Sequence, residues 1–482
     1  MIKRDIENGV HGHAVRLSGS LRSGWLSIPR QFLSVAASAA LLAAAPLVLA
    51  AADPGASAPG GSASPASESA APGQEGTEGV PGEGSVADSE TPAAPVDPVI
   101  ARGEYIARAG NCAACHTTAD GQPYAGGVAF QTPFGKIYST NITPDPDTGI
   151  GSWTSEQFLA SLREGVRPDG AHLYPVFPYT SFTKITDEDA EALFAYLKSV
   201  PAVNAPAQAN EMSFPFNQRY LMAVWKWLFF DSGAYQPDAS KPEDWNRGAY
   251  LVEALGHCSA CHAPRNFLGA EKSEMTGGEY LDKVKTGELR SWSAPNLTAA
   301  SNGLGNWSVD DIATYLKTGR NDFTDMHGPM NEVIMLSTSH LTEEDTRAMA
   351  TYLKSLPANE GAVGSPAGAD VLQQGETLYN VHCGTCHLPT GLGGGAVGNG
   401  DEGGARLAGS PTVQASNPAS LINVILYGPQ LSDPPLPKRW KTMEAYGDKL
   451  ADEEVAALAS YLRNAWGNKG GAVTADQVAK QR

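Results

Sequence analysis

Cys112-Ala113-Ala114-Cys115-His116, Cys258-Ser259-Ala260-Cys261-His262 and Cys383-Gly384-Thr385-Cys386-His387 repeat one pattern, C-x-x-C-H. Two thiols about one helical turn apart can form thioethers to both vinyl groups of one haem, and the next residue brings an imidazole beneath the iron. The pattern therefore predicts three covalently bound haems c, with His116, His262 and His387 as axial ligands. All six cysteines of the chain lie in these motifs, so none remains for a disulfide or a nucleophile. A zinc half-site or a redox dithiol is the competing use of C-x-x-C. It does not account for a histidine closing every copy.

Iron held by histidine on one side commonly takes a methionine thioether on the other, and the chain has nine methionines to try. The third repeat offers Met443, after the extended Pro434-Pro435-Leu436-Pro437 stretch. The second offers Met275, Met326, Met330, Met335 and Met349; Met349 falls on an apolar helical position, and Met330 in Gly328-Pro329-Met330 is preferred, with Met326 next. The first repeat has no methionine between residues 98 and 205. Its candidates are His172, Met212 and Met222, or an iron left open.

The elements that must position these groups also repeat. Arg102-Gly103-Glu104-Tyr105, Arg247-Gly248-Ala249-Tyr250 and the weaker Gln374-Gly375-Glu376-Thr377 mark an opening helix. Thr186–Leu197 aligns with Thr342–Leu353 as a closing helix. Thr186 with Asp189, and Thr342 with Asp345, have the spacing of capping boxes. In the third copy Ala451 replaces the capping threonine, a loss of about 1 kcal/mol. Leu193, Tyr196 and Leu197 form one apolar face, which is core. Ser139-Thr140-Asn141-Ile142-Thr143 parallels Ala294-Pro295-Asn296-Leu297-Thr298, and each leads to a tryptophan, Trp153 or Trp307. Such loop-rich domains are short of apolar core, and a covalent haem compensates for it. The expected fold is all-α: three tandem cytochrome c domains with long loops, preceded by a disordered tether.

Lys3, Arg4, Arg16, Arg22 and Arg30 precede an apolar run, Phe32–Ala52, that closes on small residues. The pattern is that of a signal peptide over 1–52, with a membrane anchor as the alternative. Residues 53–98 are Ala/Pro/Gly/Ser-rich, with acidic and no basic side chains, and read as a disordered linker. Cytochrome c domains are expected at 99–205, 244–360 and 361–467, an aromatic-rich linker at 206–243 and a tail at 468–482. In that linker Arg219–Phe230 reads as a short helix with three uses: packing between domains one and two, lying at the membrane interface, or docking a partner. Gly391–Gly404 lacks the G-K-[ST] ending of a phosphate cradle. Asp145 and Asp147 belong to a Pro/Gly turn rather than a calcium site. Residues 1–52 carry a surplus of three positive charges, so removing them takes the formal charge from −18 to −21. That acidity excludes nucleic acid as a partner.

The three C-x-x-C-H motifs, His172-Leu-Tyr-Pro-Val-Phe-Pro-Tyr179, Phe214-Pro-Phe-Asn-Gln-Arg219, Gly328-Pro-Met330 and Ser460–Gly467 together resemble the trihaem cytochrome c subunits of bacterial membrane-bound dehydrogenases, those of the alcohol, gluconate, sorbitol and aldehyde type. The resemblance implies Met330 and Met443 as axial ligands. It also places a family methionine at position 177, where this chain has Phe177. It implies an exported, membrane-associated electron-transfer subunit on the periplasmic side of the bacterial inner membrane, itself non-catalytic. Electrons would come from a large flavin, quinoprotein or molybdenum dehydrogenase subunit and pass to ubiquinone or another respiratory acceptor. Two rival readings remain: a haem enzyme of peroxidase or reductase type working at an open iron in domain one, and a free-standing soluble electron shuttle.

Overall fold

In each repeat one glycine lets two helices cross with their backbones in contact. The structure is a computed structural model that describes residues 97–283, 289–394, 403–429 and 442–482. The export segment, nearly all of the tether, residues 395–402 of the glycine-rich stretch and Pro434–Pro437 lie outside the described residues. The opening helices are Pro98–Ala109, Glu243–Tyr250 and Ala369–His382; the closing helices are Asp187–Ser199, Glu343–Ser355 and Asp452–Asn464. A Cβ on Gly103, Gly248 or Gly375 would run into the carbonyl of Ala192, Ala348 or Ala457 and crowd the Cβ of Tyr196, Tyr352 or Tyr461. The third copy, weakest in sequence, keeps the one residue the crossing requires.

The capping threonines act as expected, but their aspartates do not. Thr186 and Thr342 accept from the N–H groups of Asp189 and Asp345 at 3.2 and 3.1 Å. The carboxylates turn away from their own caps, each to an arginine of its own repeat and a tyrosine of the other. Asp189 accepts from Tyr250 Oη at 2.6 Å and from Arg102 Nε at 2.7 Å. Asp345 accepts from Tyr105 Oη at 2.5 Å and from Arg247 at 2.8 and 2.6 Å. The N–H groups of Thr186 and Thr342 donate to the hydroxyls of Tyr250 and Tyr105 instead. Two full capping boxes are thus replaced by a reciprocal latch. The third repeat has Thr377 in the tyrosine position and no such partner; there Glu454 accepts from the N–H of Ala451 at 2.9 Å, so half of a box survives without the cap hydroxyl.

Packing follows the same division. Ile106, Phe158, Leu193, Leu251, Leu255, Ile312, Leu341 and Met349 belong to one apolar core shared by the first two repeats. The third has its own, with Tyr379, Ile422, Ile425, Val455, Leu458 and Val478. Its seam with the second repeat is polar: Ser293 and Ser420 exchange bonds at 2.9 and 3.2 Å, and Asn423 donates to the carbonyl of Ser291.

Four expectations need correction. The chain is mostly helical but not all-α: Ala129–Thr132 pairs antiparallel with Gly135–Tyr138, which also pairs with Glu211–Met212, and Gly278–Lys283 pairs with Leu289–Ala294. In the first hairpin, β-branched and aromatic residues around the Thr132–Gly135 turn favour strands. The first helix starts at Pro98, inside the tether boundary, because Asp97 caps Val99 at 2.8 Å. The linker helix is Leu221–Phe229, and Met222, Trp225 and Lys226 pack it inward. Trp225 Nε1 donates to the carbonyl of Leu268, so this face does join the first two repeats, while Trp227 stays 82% exposed. Finally, residues 468–482 are not a loose tail. Val473 and Val478 enter the third core, and Arg482 bonds Asp452 and the carbonyl of Leu450.

Candidate haem-binding sites

Each C-x-x-C-H motif carries a short helix, Cys112–His116, Ser259–His262 or Gly384–His387, after its opening helix, in the second repeat beyond a π-helical turn, Leu251–Leu255, and each histidine is fixed in the same way. Nδ1 of His116, His262 and His387 lies 2.6, 2.7 and 2.7 Å from the carbonyl oxygens of Thr140, Pro295 and Ala405. A carbonyl only accepts, so Nδ1 carries the proton and Nε2 keeps its lone pair for iron. Thr140 and Pro295 are held by the asparagines that follow them. Asn141 donates to Thr148 and the carbonyl of Val203 and accepts from Thr143; Asn296 donates to Asn302 and the carbonyl of Asn359 and accepts from Thr298. The Asn-x-Thr repeat could have revealed these carbonyls in advance. Ala405 could not have been found that way, since no asparagine follows it; there Gly404 makes room, because a Cβ would meet the His387 ring.

Burial lowers the pKa of all three histidines, and the carbonyl bonds offset only part of that, so the neutral imidazole a metal needs is favoured. Burial also pushes the thiols of Cys112, Cys115 and Cys258 up to about 12 and that of Cys383 to about 11. This direction disfavours the thiolate that a zinc site or a nucleophile needs. None of the six is in a disulfide. The second repeat also holds two indole N–H groups, Trp292 Nε1 and Trp307 Nε1, that are buried without a hydrogen-bond partner. A buried donor needs an acceptor. The carboxylates of a haem are acceptors of the required kind, so the residues present fit the group.

The first two motifs adjoin. The Cys115 thiol is raised, after burial, by the charges of Glu332 and Cys261. His257, directly before Cys258, bonds the backbone of Gly110 and packs edge-on against Phe182 at 5.4 Å. Asn111 and His257 both take left-handed φ values, 50° and 37°, to turn the chain into the motif.

Of the sixth-ligand candidates, Met330 opens the helix Met330–Leu336 and is half-buried against the shared core. Met443 is half-buried against the third core. Met326, Met275 and Met349 are buried core residues. His172 Nδ1 lies 3.0 Å from Lys226 Nζ. Met222 and Met212 pack with Tyr174, Tyr179 and Trp225. Asp145 accepts from Asp147 and Thr148 in a tight turn, as read from the sequence.

The cytochrome c family matches residues 100–201 and 246–357, and the family of cytochrome c oxidase, cbb3-type, subunit III matches 370–462. Among known proteins, the cytochrome c subunit of a quinone-type alcohol dehydrogenase from Gluconacetobacter polyoxogenes is 40% identical over 409 residues, 80% of this chain and 84% of its own. The gluconate 2-dehydrogenase cytochrome c subunit of Pantoea cypripedii is 40% identical over 404 residues, 80% of this chain and 90% of its own. This chain belongs to the cytochrome c subunits of dehydrogenases. The cytochrome subunit also matches a nicotinate dehydrogenase subunit of Pseudomonas putida, at 44% identity over 375 residues, 76% of this chain but only 30% of that longer protein. Membership assigns it covalent haem c, electron transfer and a place in a dehydrogenase complex. Among the described residues no helix is long and apolar enough to cross a membrane.

Proposed function

We propose that the cytochrome subunit carries three haems c, at Cys112/Cys115, Cys258/Cys261 and Cys383/Cys386, and relays electrons from a periplasmic-side dehydrogenase to membrane quinone. Bound haem supplies one-electron chemistry; the chain supplies ligands, burial and spacing. His116, His262 and His387 offer Nε2 to iron. Met330 and Met443 complete two of the sites, closing them to substrate and raising their potentials. The observation that carries this reading is the threefold recurrence of a histidine locked through Nδ1 onto a backbone carbonyl at 2.6 to 2.7 Å.

Domains at about 99–205, 244–360 and 361–467 are supported by one helix crossing in each, with the third extended by residues 468–482, whose Val473 and Val478 join its core. Export by residues 1–52 is the route that covalent haem attachment requires. The dehydrogenase partner is a flavin, quinoprotein or molybdenum subunit, and the exposed face of Leu221–Phe229 suits a membrane surface. The test is haem counting by pyridine haemochrome and intact mass, with co-purification of the large subunit. Replacing both cysteines of any one motif by alanine is expected to remove one haem and leave two. A wild-type protein with fewer than three covalent haems refutes the assignment.

A further inference from the structure

The backbone sets the first and second repeats in register up to the methionine position. Gly165 and Gly319 both follow a helix, Ser155–Arg163 and Val309–Thr318, with φ of 63° and 73°. From each glycine a short loop returns through an isolated antiparallel bridge, Val166 with His172 and Arg320 with Asp325. The next residue donates back to the glycine carbonyl: Leu173 to Gly165 at 2.8 Å, Met326 to Gly319 at 2.7 Å. Leu173 therefore corresponds to Met326. Counting on without a gap, Tyr174 falls on His327, Pro175 on Gly328, Val176 on Pro329 and Phe177 on Met330.

Among the other donors near the first repeat, His172 is paired through Nδ1, and the two methionines pack among aromatic rings, Met222 in a cluster that Phe177 borders. His172 corresponds to Asp325, and its Nδ1 meets Lys226 Nζ. Lys226 is held by the carbonyls of Glu164 and Gly165 at 2.6 and 2.8 Å. Met222 is buried beside Trp225 and Tyr179, and Met212 sits on a strand paired with Gly135. Phe177 packs its ring 5.4 Å from Phe182, which in turn meets His257 beside the second motif.

We propose that the haem at Cys112/Cys115 has no sixth protein ligand, and that Phe177 caps its open face as an apolar pocket for small diatomic ligands of ferrous iron. The proposal rests on haem attachment at Cys112, Cys115 and His116. A phenyl ring has no lone pair to coordinate iron. It keeps water from the face and leaves space that only a small, weakly hydrated ligand fills. The segment Leu173–Phe182 contains no His, Arg, Lys, Asp or Glu. The segment itself offers no acid or base to cleave a peroxide, and the nearest, His172 and His257, are held by Lys226 and by the backbone of Gly110; the polarity and donors of a distal pocket decide between binding and activation. Ligand binding without peroxidase chemistry is the consequence. Lacking a thioether, this haem also has a lower potential than its two neighbours.

The test uses the full holoprotein after its three haems have been counted. Carbon monoxide added to the dithionite-reduced protein is expected to shift the spectrum of one haem and leave two unchanged. In Phe177→Met the shift is expected to vanish, the ferric protein to gain the long-wavelength thioether–iron band of a further methionine-ligated haem, and the lowest potential of the redox titration to rise. Phe177→Leu keeps the apolar cap and is expected to retain the carbon monoxide shift, which guards against a fold defect in the methionine variant. Three haems with no carbon monoxide shift, or a shift that survives in a folded Phe177→Met, overturns the open-site proposal and leaves the electron-relay reading intact. Absence of the first haem overturns both.

Discussion

Replacing Asp345 by Asn tests the node of the latch at which Arg247 of its own repeat and Tyr105 of the first repeat meet. The carboxylate accepts both arms of Arg247 and the hydroxyl of Tyr105, and its side chain is only 12% exposed. Hydrogen bonds to charged groups contribute about 1.5–3 kcal/mol each. Asn keeps the shape and one acceptor, and Arg247 is open enough to recover water, so the net loss is set at about 2 kcal/mol. For a unit of this size that corresponds to a fall in Tm of about 4–8 °C. The pH dependence gives an independent check. Burial alone would raise the Asp345 carboxyl, but the hydrogen bonds from Arg247 and Tyr105 and the guanidinium charge outweigh it and hold it below its ordinary value. The unfolded chain therefore binds the proton first as pH falls. The stabilisation is full above about pH 4, the unfolded carboxylate's range, and is lost on passing down through the folded pKa. Thermal unfolding of the holoprotein followed by circular dichroism should show the gap between wild type and Asp345→Asn at neutral pH and its closure in acid. A gap that is absent at pH 7, or that persists unchanged in acid, refutes the latch. Asp189→Asn is expected to cost less, because Arg102 reaches Asp189 through one nitrogen, at 2.7 Å.

Gly375→Ala is expected to destabilise the third repeat by more than about 2 kcal/mol, since the new methyl meets the Ala457 carbonyl; denaturant unfolding of the third repeat at unchanged Tm for the first two is the signature. Lys226→Met tests a buried cation whose pKa burial lowers to about 8. Between pH 8 and 10 the unfolded chain holds more protons at this site, so wild-type stability should rise relative to Lys226→Met, and parallel pH profiles would contradict it. Trp307→Phe removes a buried N–H that has no protein partner, and redox titration is expected to show one midpoint potential falling while the other two stay in place.

The chemistry was legible because thioether attachment demands a contiguous motif. The opening helices were legible from the recurrence of Gly103, Gly248 and Gly375, but that each glycine marks a backbone crossing with the closing helix was not. What escaped the sequence are contacts made across long separations. Asp189 and Asp345 sit at capping-box spacing, and nothing local tells a box from a carboxylate that reaches another repeat. The carbonyl of Ala405 carries no residue signal, since any backbone oxygen serves, whereas those of Thr140 and Pro295 are marked only indirectly, by the Asn-x-Thr that follows each. Residues 468–482 looked like a tail because Val473 and Val478 are too few to show a period. Phe177 is the reverse case, named by the resemblance as the place of a missing methionine, and matched to Met330 by the hydrogen bonds at Gly165 and Gly319.

The latch also orders events during biogenesis. Tyr105 and Asp345 are 240 residues apart, so the first repeat completes its contacts only once the closing helix of the second is in place. Through that interval Cys112 and Cys115, half-buried in the finished fold, are more open to haem attachment. Delivery of the first two haems thus falls within one shared window, whereas the third repeat, with a core of its own, can mature on a separate schedule.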